Sequence, residues 1–328
     1  VVGFDIYRTT DGGSTWASVL TITGAQITSD STISKSGLFV LHVNGVATAC
    51  LVTYNRVSGF FFAFTSTDGT TWTTLGPFAS GVIDRAIPCD SIVSDGKIYT
   101  IWASSAYTTG VSSIFDPVAG TMTFATFPTE SAGNLQTNAA LCVFNDRMFG
   151  LSQELGGGTF TPLKELIAGV WITVGSAIAV GVGHADYSKM CLFVSGTELI
   201  GFVVKTTGWN AYKWDSAMTR TDITSLVVPT ALASGLGSSQ RMSVIVDERA
   251  VPGTAPTIWI YQSVDGTGGS ALNQWAWNGS GSFIGTTPGS AGSGTNDSGG
   301  SALDDLPYLK HAQGSTFWTS TEDYIEEV

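Results

Sequence analysis

Basic residues are scarce in this chain. Lys and Arg number 14 against 26 Asp and Glu, giving a net charge of −12 over 328 residues. A nucleic-acid binder clusters cations to displace counterions from phosphate, and no such cluster is present. The same shortage excludes attraction to an anionic membrane surface. No apolar run reaches the roughly 18 residues that a spanning helix requires, so no membrane insertion is expected. Charged residues of both signs make up 12% of the chain, about half the usual share. Cysteine occurs four times, at Cys50, Cys89, Cys142 and Cys191, and never as a C-x-x-C pair. Metal-ligand spacing is therefore absent, and any disulfide pairing is left open. Cys142 and Cys191 open the apolar runs CVF and CLF and read as small buried hydrophobes. The three histidines, His42, His184 and His311, lie far apart. No Ser-His-Asp order, Gly-x-Ser-x-Gly elbow or phosphate-cradling glycine loop appears. Nor does any helical pattern of convincing length.

What is abundant is small and polar. Glycine accounts for 40 residues, Ser and Thr are plentiful, and hydrophobic residues are 43% with a mean hydropathy of +0.22. This composition excludes a disordered chain. All-β domains routinely exceed the usual domain size, so residues 1–328 are expected to form a single domain that needs no disulfide or metal staple. Low charge with many hydroxyls is the composition of secreted or virion-surface β proteins. The sequence lacks an initiator Met and a signal peptide, and we expect a processed product or a piece of a longer chain.

The stretch RTTDGGSTW, Arg8–Trp16, separates two segments of strand-like alternation. Asp11 can accept hydrogen bonds from the backbone of its own turn, Gly12 and Gly13 permit positive φ, and Thr9 or Thr15 can tie the turn shut. Trp16 then supplies a large ring to bury. The order recurs at FTSTDGTTW, with Ser66, Asp68, Gly69 and Trp72, one residue shorter. A weaker echo is YQSVDGTGG, with Ser263, Asp265 and Gly266 but no Trp in register; FWTSTED near the C-terminus repeats the lead-in.

Thr9-x-Asp11-x-Gly13-x-Thr15-Trp16 resembles the Asp-box of the sialidase-like, BNR-type β-propellers, Ser/Thr-x-Asp-x-Gly-x-Thr-Trp. The short boxes resemble those of phage tail and fibre proteins. In that family the box is a structural turn on the outer edge of a blade, so the resemblance implies fold more than activity. A sialidase-like enzyme would need three converging arginines, a Tyr–Glu pair and an acid aspartate. The Arg-Ile-Pro signature is absent before the first box; Asp84-Arg85-Ala86-Ile87-Pro88 approaches it with an extra residue, after the second box. No catalytic residue is carried over.

Between the boxes, units of similar grammar repeat: strand, turn, strand, loop, strand, turn, aromatic strand. Ser94-Asp95-Gly96, Asn145-Asp146 and Ser195-Gly196 are hairpin signals. The aromatics Trp16, Trp72, Phe124, Trp171, Trp214 and Trp275 mark the units at intervals of 43 to 61 residues. Four short strands at that period predict an all-β β-propeller of four-stranded antiparallel sheets. We expect six blades, the N-terminal hairpin being completed by strands around Thr316–Tyr324, or seven if Leu306–Tyr324 forms its own unit. Gly279–Ser301, rich in Gly, Ser and Thr, reads as a long surface loop. The oxygen-bearing residues Asn296, Asp297, Asp304 and Asp305 near its end give a weak opening for calcium, without EF-hand spacing; a solvated acidic loop is the simpler reading.

General glycoside hydrolysis needs two facing carboxylates; Asp90, Glu154 and Asp186 are candidates whose spacing decides nothing. His42 alternates into an apolar strand and is expected in the core or lining a channel. His184, in GVGHADYS, is a candidate for the propeller face. Trp275 and Trp277 share one face of a strand and would suit a sugar ring if exposed. The expectation is a non-catalytic structural, receptor-binding or glycan-binding propeller, on a virion such as a phage tail or in an extracellular assembly, with protein subunits or a cell-surface glycan as partner. The alternative is a secreted carbohydrate-active or lectin-type propeller. A kelch- or WD-type scaffold ranks last, because neither signature dipeptide, a double Gly or Trp-Asp, is repeated in each unit.

Overall fold

The computed structural model describes residues 4–23, 26, 37–55, 57–81, 86–104, 110–127, 134–155, 160–179, 190–205, 208–227, 239–247, 257–265, 271–277, 318–321 and 324–327, with only the backbone after residue 227. The expected loop at 279–301, with its acidic end, lies outside these residues.

The described chain is all-β apart from one helical turn. A hairpin of β1 (Phe4–Arg8) and β2 (Ala17–Ile22) comes first. The next sheet is β3 (Phe39–Val43), β4 (Val46–Asn55), β5 (Phe60–Ser66) and β6 (Thr73–Ala79). Then come β7 (Ala86–Ser94), β8 (Lys97–Ser104), β9 (Gly110–Asp116) and β10 (Thr121–Phe127). A third four-stranded sheet holds β11 (Asn134–Phe144), β12 (Arg147–Leu155), β13 (Phe160–Ile167) and β14 (Val170–Ala179). A fourth holds β15 (Cys191–Ser195), β16 (Glu198–Lys205), β17 (Gly208–Trp214) and β18 (Arg220–Asp222), followed by the turn α1 (Thr224–Val227). A three-stranded sheet follows, of β19 (Ser239–Asp247), β20 (Thr257–Asp265) and β21 (Ala271–Trp277), and the C-terminal hairpin is β22 (Trp318–Thr321) and β23 (Tyr324–Glu327). Each sheet of three or four strands is an up-and-down meander in chain order, the blade of a β-propeller.

Tight turns set the registers. Asn44-Gly45 and Asp95-Gly96 connect β3 to β4 and β7 to β8, all four residues at positive φ between 49° and 80°. That pairing is the type I′ hairpin, whose twist matches the strands it joins.

The chain divides into two compact units. Unit 1 comprises Val1–Thr137, Ile167–Trp171 and Trp318–Val328; unit 2 comprises Asn138–Leu166 and Ile172–Phe317.

In unit 1, sheet β3–β6 is buried on both faces. Cys50, Val52 and Tyr54 of β4 and Phe61 and Ala63 of β5 meet Ile98 and Trp102 of β8, Val111 and Phe115 of β9 and Met122 of β10. The alternate residues Leu51 and Phe64 turn the other way and meet Ile6 and Ile22 of the first hairpin. Period-two alternation thus feeds two cores, and Leu51–Asn55 is buried at every position. Phe61, fully buried, holds Tyr54 at 4.8 Å and Trp102 and Phe124 at 5.1 Å between ring centroids. Two adjacent serines of β9 accept indole protons: Trp102 Nε1 donates to Ser113 Oγ and Trp171 Nε1 to Ser112 Oγ, both at 2.8 Å. The C-terminal strand β23 lies near β1, but the ladder bonds run within each hairpin, and the expected pairing of the N- and C-terminal strands is not seen among the described residues.

In unit 2, one core joins the third and fourth sheets: Cys142 and Phe144, Phe149 and Leu151, and Leu163 pack with Leu192, Leu199, Val203, Tyr212 and Trp214. A Cβ added at Gly201 would stand 3.0 Å from the Trp214 ring, so the glycine lets the indole lie on the backbone.

Two expectations are corrected. His42 is exposed on β3, because it sits opposite Ala47 on the face away from Leu41. Trp214 lies on the third strand of its sheet, not the outer one, since β18, only three residues long and carrying Arg220 and Asp222, adds an outer strand with no apolar signature. None of the four cysteines is in a disulfide; Cys50, Cys89 and Cys142 are buried and Cys191 half-buried, and burial pushes the Cys50 thiol up to about 12.

Replacing Phe61 by Ala should cost about 3–5 kcal/mol by urea denaturation, as for a well-packed core aromatic. A loss below about 1 kcal/mol would deny Phe61 its central place.

Candidate functional site

The repeated Asp-containing turn connects β1 to β2 and β5 to β6. In the first, Thr9 follows the last residue of β1. Its hydroxyl donates to Asp11 Oδ1 at 2.8 Å and accepts from the Gly13 amide at 2.9 Å. Asp11 accepts from the Thr15 amide at 2.9 Å and the Thr15 hydroxyl at 2.6 Å. Trp16 Nε1 reaches back to the Gly13 carbonyl at 3.0 Å. Gly12 and Gly13 both take positive φ, 70° and 88°.

The second turn repeats this with one residue fewer. Ser66 Oγ donates to Asp68 Oδ1 at 3.1 Å and accepts from the Gly69 amide at 2.8 Å. Asp68 Oδ1 accepts from the amides of Thr70 and Thr71, each at 2.7 Å. Trp72 packs against the Ile6–Ile22–Leu51–Phe64 core, but its buried Nε1 has no hydrogen-bond partner. Arg8 Nη1 ties the two turns together by donating to the Asp68 carbonyl at 2.8 Å.

Hydrogen bonds hold both carboxylates ionised. Thr15, first through its hydroxyl and then its amide, lowers Asp11 to about 2. The Thr71 and Thr70 amides hold Asp68 lower still. Asp116 is lowered chiefly by the Ala119 amide, with Lys97 3.3 Å away.

The same device closes a turn that the sequence reading passed over. Asp215 Oδ1 accepts from the amides of Ala217 at 2.9 Å and Thr219 at 2.8 Å. The shared signal is Asp-x-x-x-Thr, Asp11 to Thr15 and Asp215 to Thr219; it was hidden because Trp214 precedes this turn rather than following it. Asn55 and Asp116 cap the β4–β5 and β9–β10 turns through two amides each.

The third echo is placed differently. Ser263 and Asp265 are strand residues of β20, Ser263 opposite Arg241 and Leu272, Asp265 opposite Ser239. Gly266 and His184 lie outside the described residues, as does Asp186. Trp275 and Trp277 stand in β21 opposite Ile260 and Ile258, two apart on one face of the strand. Asp90 is in β7 and Glu154 in β12.

A general acid needs a carboxyl whose pKa is raised. Asp11, Asp68 and Asp116 are all moved the other way. Glu165 pairs with Arg147 through two contacts of 2.6 Å, and Glu198 with Lys213 at 2.6 Å. Among the described residues, no cluster of His, Cys, Asp and Glu could hold a metal ion.

No protein-family model matches the chain, and no curated protein does. Solved structures do. A complex of Aleuria aurantia lectin with α-methyl-L-fucoside is 13% identical, with 90% of each chain covered and a TM-score of 0.49. A variant of AofleA from Arthrobotrys oligospora is 8% identical, with 93% of this chain and 88% of that one covered and a TM-score of 0.49. An α-L-arabinofuranosidase from Lactobacillus brevis is 8% identical, with 80% and 97% covered and a TM-score of 0.40. At these scores the likenesses carry no argument about function.

Because Asp11 and Asp68 are depressed in the folded state, their stabilisation is complete above the unfolded value near 3.8; that of Asp11 is lost as pH falls through about 2, and that of Asp68 at still lower pH. The Asp11→Asn/Asp68→Asn variant should show a flatter loss of Tm between pH 4 and 2 than the parent chain. Parallel Tm profiles would show that these bonds do not persist in solution.

Proposed function

We propose that this chain is a non-catalytic, glycan-binding β-propeller displayed on a virion, such as a phage tail or fibre, or in an extracellular assembly. The observation that carries the reading is how the described carboxylates are used. Asp11, Asp68, Asp116 and Asp215 close turns, while Glu165 and Glu198 neutralise neighbouring cations. Acid–base work would require a facing pair left free and tuned apart. What the blades offer outward is hydroxyl: Thr73, Thr74, Thr121, Thr123 and Thr126 are exposed on β6 and β10. A neutral, hydroxyl-bearing surface suits partners recognised by hydrogen bonds and ring stacking rather than by charge.

The Asp-containing turns, in this reading, are Asp-boxes of the BNR type. The two terminal hairpins form one composite blade, which brings the count to six. Loops on one face of the ring would carry recognition, with His184, Trp275 and Trp277 as candidates. Protein subunits of the assembly are the further partners.

The test is a glycan array probed with the whole chain, run beside a panel of p-nitrophenyl glycosides. The reading expects array binding and no release of nitrophenol above background. An empty array would overturn the glycan reading; sustained turnover would overturn the non-catalytic one.

A further inference from the structure

The inner strands of sheet β3–β6 and of β7–β10 bury both faces at their centres, as Leu51–Asn55 and Gly110–Ser113 show. The outer strands β6 and β10 do not, and neither does the first hairpin. Ile6 and Ile22 face the core at 8% and 0% exposure, whereas Tyr7, at 37%, stands on the opposite face of the strand. Asp5 shares that face, and Thr21 is its partner directly across the ladder. Beside Tyr7, across the ladder, lies Ser18, also exposed.

These side chains form an ordered group. Thr21 Oγ1 donates to Asp5 Oδ1 at 2.6 Å, and the Tyr7 hydroxyl lies 3.5 Å from Asp5 Oδ2. A bulge between Ile6 and Tyr7 shifts the register here, so that Ile6 pairs with Leu20 and Tyr7 with Ser18. Bulges re-aim a side chain without disturbing the core behind it. Asp5 is not needed to close a turn, unlike Asp11 and Asp68, and Tyr7 is the one aromatic among the exposed large hydrophobics of the described residues.

We infer that Asp5, Tyr7 and Thr21 form a binding subsite for a neutral pyranoside, a deepening that rests on the glycan-binding reading. The tyrosine ring offers a flat apolar face for the C–H side of a sugar ring. The Asp5 carboxylate has about four acceptor positions and uses two, leaving room for a pair of sugar hydroxyls. Thr21 donates to Asp5 and so fixes the carboxylate while its own oxygen still accepts. Charge selects against acidic sugars: Asp5 sits in the site, and the chain carries −12 overall. A shallow one-ring site of this kind depends on multivalent display for useful avidity.

The experiment is saturation-transfer NMR on the whole chain with methyl glycosides of galactose, glucose, mannose, fucose and N-acetylglucosamine, and with the methyl glycoside of sialic acid. At least one neutral glycoside should bind, and the sialoside should not. Tyr7→Ala and Asp5→Asn should each weaken binding about tenfold or more, and Tyr7→Phe by no more than about threefold. Neither position is buried, and an unchanged Tm for each variant shows that the fold is kept. Neutral binding that survives both Tyr7→Ala and Asp5→Asn would overturn this subsite and leave the glycan reading standing. Absence of binding to every neutral glycoside, together with an empty array, would remove both. Preference for the sialoside would overturn the charge argument and with it this assignment.

Discussion

The structure depends on sheets that are apolar on both sides. A four-stranded sheet such as β3–β6 cannot leave either face to water, because Cys50, Val52 and Tyr54 point one way and Leu51 and Phe64 the other. Burial of such side chains is worth about 1.5–3 kcal/mol each, so a single sheet of this kind needs a neighbour on each side. In unit 1 the first hairpin and sheet β7–β10 are those neighbours; in unit 2 the third and fourth sheets stack by the same logic. Repetition of the blade follows from this demand. So does the low charge, since the centre of a sheet buried on both faces has little room for ions. Lys164, fully buried, and the Arg147–Glu165 pair are the notable exceptions, and Glu165 meets its cation through two short contacts.

Much of this was legible in the sequence. The period of the aromatic markers and the hairpin signals Asp95-Gly96 and Asn145-Asp146 placed the units, because these local turns need the same residues whatever surrounds them. Strands buried on both faces read as continuous apolar runs, as in GVATACLVTY. Where the reading failed, the cause was tertiary. His42 alternates with apolar residues and looked internal, yet only one side of β3 is covered at that point. Strand β18 is three residues with no apolar pattern and exists because the Asp215 turn delivers it to β17. The Asp215 turn itself was missed because a motif was sought with its tryptophan, whereas the physics resides in the carboxylate and the amide four residues on.

The candidate site was harder to read than the fold. Turn aspartates and ligand-binding aspartates are the same residue in a sequence. What differs between them is whether groups of their own turn fill the lone pairs, as the Thr15 amide and hydroxyl do for Asp11 and the Thr70 and Thr71 amides for Asp68, or side chains across the ladder do, as Thr21 does for Asp5. Likewise Tyr7 and the buried Tyr54 both occupy alternating strands, and their difference lies in whether another sheet covers them.

The stacking claim is tested most directly by a double-mutant cycle between Phe61 on β5 and Trp102 on β8, whose rings meet edge to face at 5.1 Å. With Phe61→Leu and Trp102→Leu measured singly and together, face-to-face packing of the two sheets predicts a coupling of about 0.5–1.5 kcal/mol. Strict additivity of the two losses would contradict it, and with it the order of blades on which the account rests.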